Sequence, residues 1–296
     1  MRIKGLIAAT FAGYHPDGTI NLNIIPTLVE QLIEDGVNGV FVCGTNGEGP
    51  NLTVEERMAI AEAYVKAANK RILIFVHVGH TAITESRKLA AHAQQIGADA
   101  ISSVAAFYFK PNTVENLMLC MQQIAAAAPA LPFYYYHIPA MTGVNLDMVE
   151  FLEVVDGKIP NFAGIKYTAA SLHEYQACLA YKDNKFDILY GYDELLLPAL
   201  AVGAKGAIGS TYNFAAPIYT KVIAYFEKGN LELAQKEHLK AVQMVRCLVK
   251  YPPIPAQREI MKWKGYDLGP CRLPLVPLTN MQAEEFKRSL SVIGFL

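Results

Sequence analysis

Lys166 stands near the end of Phe162-Ala163-Gly164-Ile165-Lys166-Tyr167-Thr168, a segment with no other charge. An ammonium in such a strand is partly desolvated, and its pKa moves down toward the nucleophilic free amine. The strand period of two sets Phe162, Gly164, Lys166 and Thr168 on one face, where Gly164 leaves room beside the amine for a substrate. A lysine that snorkels from the strand end to water is the structural alternative. Lys205 precedes its own strand, at the opposite end of the fold, and serves as a structural control. The run Phe133-Tyr134-Tyr135-Tyr136-His137-Ile138-Pro139 closes the preceding strand, so Tyr136 is expected beside Lys166 across a parallel pair. A phenol next to an amine can shuttle a proton. Tyr134 and Tyr135 read as large strand formers in packing, and His137 as a packed or hydrogen-bonded histidine facing the other way.

Three loops could complete a site. Gly44-Thr45-Asn46-Gly47-Glu48-Gly49 is glycine-rich enough for backbone amides to point at an anion, with the Thr45 hydroxyl and the Asn46 amide added. Such a loop can also be a plain turn. Gly191-Tyr192-Asp193-Glu194 and Gly209-Ser210-Thr211-Tyr212-Asn213 follow the last two strands and bring two carboxylates, which repel phosphate and accept hydrogen bonds from hydroxyls. A polyol or sugar therefore suits the pocket better than a phosphate. No third carboxylate or histidine falls at a neighbouring strand end to make Asp193 and Glu194 a metal site, and His15, His77 and His80 are scattered.

These residues need a scaffold that gathers strand ends. Apolar runs without strict alternation, the pattern of strands buried on both faces, recur at Gly5 to Ala12, Gly39 to Thr45, Ile72 to Gly79, Ala100 to Ala105, Leu131 to Ile138, Phe162 to Thr168, Phe186 to Asp193 and Gly206 to Asn213. Helical patterns lie between them: Ile25, Leu28 and Leu32 share one face, and Thr53-Val54-Glu55-Glu56 is a capping box. Gly36, Gly97 and Gly203 each read as a left-handed cap shortly before a strand. The alternation predicts an α/β protein, a (β/α)₈ TIM barrel over residues 1–225 with a C-terminal helical extension, residues 226–296, packed on it; a doubly wound open sheet is the alternative. Within the extension, Leu231 to Tyr251 and Gln282 to Leu290 read as helices, with breaks at Pro252-Pro253 and Pro270 to Pro277. With 52% apolar residues and 26 Lys+Arg against 27 Asp+Glu, the chain can bury a large core and has no basic excess for nucleic acid. Its longest apolar stretch, Ile124 to Tyr136, is too short to span a membrane and is broken by Pro129 and Pro132. The five cysteines form no Cys-x-x-Cys pair, which points to a reducing cytoplasm.

Taken together, these residues resemble the pyruvate-dependent class I aldolase family that contains dihydrodipicolinate synthases and N-acetylneuraminate lyases. The likeness runs from Gly5 to about Asn213 and through the helical tail. It rests on Gly44-Thr45-Asn46-Gly47-Glu48, Tyr136-His137-Ile138-Pro139, Gly164-Ile165-Lys166-Tyr167-Thr168 and the two carboxylate-bearing loops in combination. It implies a Schiff base on Lys166, a proton relay through Tyr136, and a pyruvyl carboxylate on Thr45 and Asn46 with Thr168 also at the substrate. Asn46 stands where the family commonly has threonine. Tyr108, in Ala106-Phe107-Tyr108-Phe109, matches a tyrosine that family members insert into a neighbouring subunit's active site, and Phe109 leaves that role to Tyr108 alone.

Dihydrodipicolinate synthases carry an arginine where this chain has Met141, and methionine cannot bind a carboxylate. The lyase branch carries the Gly-Tyr-Asp-Glu and Gly-Ser-Thr-Tyr-Asn motifs, which assigns Gly191, Asp193, Glu194 and Ser210 to sugar hydroxyls. The resemblance thus implies reversible aldol cleavage of N-acetylneuraminate (sialic acid) to N-acetylmannosamine and pyruvate by a homotetramer. No metal or organic cofactor is needed, because the protonated imine is the electron sink. Two alternatives stand: another pyruvate-dependent aldolase, either a 2-keto-3-deoxy sugar acid aldolase or a dihydrodipicolinate synthase, and a non-catalytic barrel that binds sugar acids.

Overall fold

A computed structural model describes residues 2–296. In chain order its elements are β1 (Gly5–Ala9), α1 (Ile25–Glu34), β2 (Gly39–Val42), α2 (Val54–Ala68), β3 (Leu73–His77), α3 (Ile83–Gln95), β4 (Ala100–Val104), α4 (Val114–Ala125), β5 (Phe133–His137), the short α5 (Pro139–Thr142), α6 (Met148–Val155), β6 (Phe162–Tyr167), α7 (Leu172–Ala180), β7 (Asp187–Tyr190), α8 (Leu196–Ala201), β8 (Gly206–Gly209) and α9 (Tyr212–Glu227). Three helices follow: α10 (Leu231–Leu248), α11 (Pro253–Trp263) and α12 (Asn280–Val292). β1 pairs in parallel with both β2 and β8, so the sheet closes into a (β/α)₈ barrel and the open-sheet alternative is excluded. Among the described residues no helix is long and apolar enough to cross a membrane.

Local chemistry accounts for most boundaries. Thr53 accepts the Glu56 N–H while Glu56 reaches back to the Thr53 N–H, the predicted capping box at the start of α2. Gly36, Gly97 and Gly203 all have positive φ, as required of left-handed caps. Ile25, Leu28 and Leu32 are buried on one face of α1.

Three details depart from expectation. The run Gly206 to Asn213 stops being a strand after Gly209, because Thr211 turns to helical dihedrals and Tyr212 opens α9. Phe162 does not share a face with Lys166: Phe133 pairs with Phe162 but Tyr134 pairs with Gly164, so one residue is passed over and the alternation breaks. Phe162 instead packs outward, with ring centroids 6.0 Å from Phe151 and 5.1 Å from Phe186. Nor does Gly164 make room for a substrate. A Cβ there would lie 1.7 Å from the Asp187 carbonyl oxygen, so the close approach of β7 demands the glycine.

Two apolar layers result. Ile7, Phe41, Phe75, Tyr134, Leu189 and Ile208 fill the barrel interior, while a second, larger core lies between the strands and the helical ring. α10 packs along α9, and α11 and α12 pack on α10, so the C-terminal helices cover one side of the barrel.

Candidate active site

The C-terminal ends of the strands surround a cavity of about 300 Å³, and Lys166 lies within it on β6. Its side chain is 3% exposed, which rejects the snorkelling alternative. Burial pushes its pKa down to about 7, and the opposite charge of Asp193 works against that shift. The amine is thus available as a free base near neutral pH. Tyr136 faces Lys166 across the β5–β6 pair, and Nζ sits 3.8 Å from the Tyr136 ring centroid and 4.0 Å from that of Phe41. Burial pushes the Tyr136 phenol up to about 12, while the neighbouring Thr45 and Thr168 side chains act to lower it. At neutral pH the phenol keeps its proton.

Thr45 and Asn46 follow β2 and line the cavity. Asn46 donates an amide proton to the Ala9 carbonyl at 2.8 Å, and its Oδ1 has no partner. Among the described residues the backbone N–H groups of Thr45 and Asn46 have no protein acceptor, which leaves them free for an anion. Thr168 is buried in the wall with its hydroxyl unpartnered. Gly191, Asp193, Glu194 and Ser210 line the same cavity. Asp193 is 4% exposed, and burial pushes its carboxyl up to about 6, opposed by hydrogen bonds from Thr211. Burial raises Glu194 as well.

The other expectations sort themselves by place. Tyr108 is 78% exposed on the loop between β4 and α4, outside the cavity, with its ring edge-on to Phe109. His137 faces outward between Tyr135 and Tyr167, its Nδ1 unpartnered, and burial lowers it to about 4: a packed histidine. Tyr135 packs on Phe151, whereas Tyr134 lies inside the barrel. Lys205 is exposed at the far end. Met141 lies at the cavity edge, 65% exposed.

The sequence pattern of the dihydrodipicolinate synthetase family matches residues 2–293. The chain belongs to that family. It is similar to the N-acetylneuraminate lyase of Xenopus tropicalis, 43% identical over 279 residues that cover 93% of this chain and 91% of the relative. Among solved structures, the N-acetylneuraminate lyase of Proteus mirabilis superposes with a TM-score of 0.97 at 36% identity, covering all of both chains. That of Aliivibrio salmonicida, described as a sialic acid aldolase, gives 0.96 at 41% identity, covering 100% of this chain and 98% of the other.

In this dihydrodipicolinate synthetase family member the C-terminal helices complete the cavity, a contribution the strand-end reasoning did not foresee. Val245 and Leu248 of α10 and Ile254 and Gln257 of α11 line one wall. α11 is tied to the Thr45 loop by Arg258, which lies 2.6 Å from Glu48 Oε1 and also donates to the Ala12 carbonyl at 2.7 Å. Glu48 is buried in a left-handed conformation with φ 53°, so this ion pair fixes the loop that carries Thr45 and Asn46. The sequence signal was a Gln257-Arg258 pair on the inner face of an otherwise apolar helix flank, legible only once that face is known to be inner.

Proposed function

We propose that this chain cleaves N-acetylneuraminate reversibly to N-acetylmannosamine and pyruvate through an imine on Lys166. The observation that carries the reading is the buried Lys166 amine, held near its neutral form beside Tyr136, in a cavity that also presents Asp193, Glu194 and Ser210. The lyase relatives support the same substrate. Nζ adds to the C2 ketone of the open-chain sugar acid, whose carboxylate rests on the Thr45 and Asn46 amides, and loss of water gives the protonated imine. The C3–C4 bond then breaks with its electron pair drawn to the iminium, while the C4 hydroxyl proton leaves through Tyr136 and the sugar aldehyde departs. Because the Tyr136 phenol is itself protonated, it accepts that proton only as it hands its own to the substrate carboxylate held at the Thr45 and Asn46 amides, and one proton is later returned to C3 of the enamine. Protonation of the enamine at C3 and addition of water release pyruvate and restore the amine.

Asp193, Glu194, Ser210 and Gly191 are assigned to the hydroxyls of the sugar. Met141 supplies no cation for a second carboxylate, which weighs against a dihydrodipicolinate synthase. Tyr108 lies outside its own cavity and is assigned to that of a neighbouring copy in a homotetramer. A cytoplasmic setting accords with five free cysteines. The test is borohydride reduction in the presence of pyruvate, with peptide mapping, alongside pyruvate release from N-acetylneuraminate. A reduced adduct on Lys166 together with turnover is expected; an adduct on another lysine, or none, overturns the mechanism.

A further inference from the structure

We propose that Tyr219 and Thr211 form a one-way hydrogen-bond relay that orients Asp193, making both of them positioning residues for the polyol end of the substrate. This rests on the assignment of Asp193 to a sugar hydroxyl made above.

Asp193 Oδ2 receives two donors from Thr211, the backbone N–H at 2.8 Å and the hydroxyl at 2.6 Å. The same hydroxyl oxygen lies 2.7 Å from Tyr219 Oη. A hydroxyl has one proton. The carboxylate can only accept, so the Thr211 proton points to Asp193, and Tyr219 must donate to Thr211. The direction Tyr219 to Thr211 to Asp193 is therefore fixed by proton count. Tyr219 is fully buried on α9, its ring edge-on to Tyr212 at 4.8 Å, and burial raises its pKa, so it remains a donor.

The relay occupies one carboxylate oxygen and leaves the other. Oδ1 rests against Gly209, where a Cβ would fall 1.7 Å from it, and the Tyr212 phenol also donates to the carboxylate. Gly209 lines the cavity. With Oδ2 pinned by two donors, the carboxylate cannot rotate to exchange its oxygens without breaking both bonds, and Oδ1 is presented to the ligand in one orientation. Charge-assisted bonds from Thr211 also favour the ionised form, which burial disfavours. The other titratable groups that face Asp193 are Lys166, Glu194, Tyr136, Tyr212 and Tyr219. Among the charged groups only Lys166 favours its negative charge; the Thr211 hydroxyl and N–H and the Tyr212 phenol are its neutral donors, and Thr211 supplies two of them.

The test compares T211V, which keeps shape and loses the hydroxyl, with T211S, which keeps the hydroxyl, and with Y219F. T211V is expected to raise KM for N-acetylneuraminate about tenfold, the usual weight of one hydrogen bond to a charged group. Its rate of pyruvate trapping by borohydride, which needs no polyol, should stay within about twofold of wild type, as should KM in T211S. Y219F, one step removed, should raise KM about threefold. The acid limb of the KM profile should move to higher pH in T211V, because Asp193 loses a bond that holds its proton off. A KM that is the same in T211V and T211S, or pyruvate trapping that falls in step with KM, overturns the relay. If T211V fails to fold, an unchanged KM in Y219F does so instead. Absence of cleavage by the wild-type chain counts against the proposed reaction, whereas wild-type cleavage with an unmoved T211V counts against the relay alone.

Discussion

The floor and the mouth of the barrel hold the same kinds of side chain and use them differently. Tyr134 and Tyr136 lie two residues apart on the inner face of β5. At the floor, Tyr134 donates to Asp187 Oδ2 at 3.0 Å, and the same oxygen accepts the Ile3 N–H at 3.1 Å. Burial raises the Asp187 carboxyl, and the two donors oppose it. At the mouth, Tyr136 sits against the Lys166 amine, and among the described residues Thr168 Oγ1, Asn46 Oδ1 and Gln257 Oε1 have no partner. Buried polar groups are normally satisfied within the protein, so a concentration of unsatisfied ones marks where a ligand supplies the missing partners. The Tyr134–Asp187 pair is closed chemistry, its donors and acceptor matched within the protein. The mouth is open chemistry made of the same parts.

Replacement of Lys166 breaks this contrast most severely. Lys166→Ala removes the only amine among the described residues that line the cavity and should lower pyruvate release by at least ~10⁴, with no borohydride-trapped adduct. Retained turnover with an adduct elsewhere would move the reactive centre off β6.

The two tyrosines give the next largest effect and the sharpest one. Tyr136→Phe should lower turnover by ~10² to 10⁴, the usual worth of general acid–base catalysis, with little change in melting. Tyr134→Phe should do the reverse. It leaves Asp187 with one donor fewer in a buried site, costing about 1–3 kcal/mol of stability, while turnover of the folded protein stays within about threefold. Thermal melts and kinetics on both variants decide it: if Tyr134→Phe loses turnover as heavily as Tyr136→Phe, floor and mouth are not separate.

How much of this was legible beforehand follows the same division. The mouth residues Lys166, Tyr136, Asp193 and Glu194 could be found because barrel strands carry their reactive groups at known ends and the strands announce themselves as doubly buried runs. The floor pair has no such signature. Asp187 reads as a residue at a strand start, its partner Tyr134 lies 53 positions away, and the second donor, the Ile3 N–H, lies 184 positions away. The Arg258–Glu48 clamp spans 210 positions and has no local signature either. Where local signals existed, tertiary demands sometimes overrode them. Thr211-Tyr212 has strand-forming residue types, yet the Thr211 N–H is needed by Asp193, so the chain leaves the strand at Gly209 and turns into α9. The residue passed over on β6, Ala163 between Phe162 and Gly164, likewise answers to the geometry of β5, β6 and β7, which no count of alternating residues contains.

A smaller effect comes from the charge coupling at the mouth. Asp193 raises the Lys166 pKa against the dominant lowering by burial. Asp193→Asn removes that support, so the amine pKa should fall below about 7 and the acid limb of pyruvate trapping should shift to lower pH. With a wild-type value of about 7, roughly a tenth of the amine is free at pH 6. The variant should therefore trap pyruvate a few times faster than wild type at pH 6 and equally at pH 8, even as its KM for the sugar acid rises. Trapping that slows at pH 6 would show that Asp193 does not act on the amine through charge.

Lys205 should give no effect, and that is its use. Its side chain is exposed at the floor end, before β8, whereas its carbonyl accepts the Gly5 N–H at 3.0 Å and helps close the barrel between β1 and β8. The structural work belongs to the backbone, which a side-chain substitution leaves in place. Lys205→Ala should thus keep turnover and pyruvate trapping within about twofold and shift stability by no more than about 0.5 kcal/mol. On the proposed mechanism burial is what frees the Lys166 amine for attack on a ketone, and the exposed Lys205 has no part in it. If Lys205→Ala nevertheless abolished trapping, position within the barrel would not be what distinguishes the two lysines, and the division between floor and mouth would fail at its simplest point.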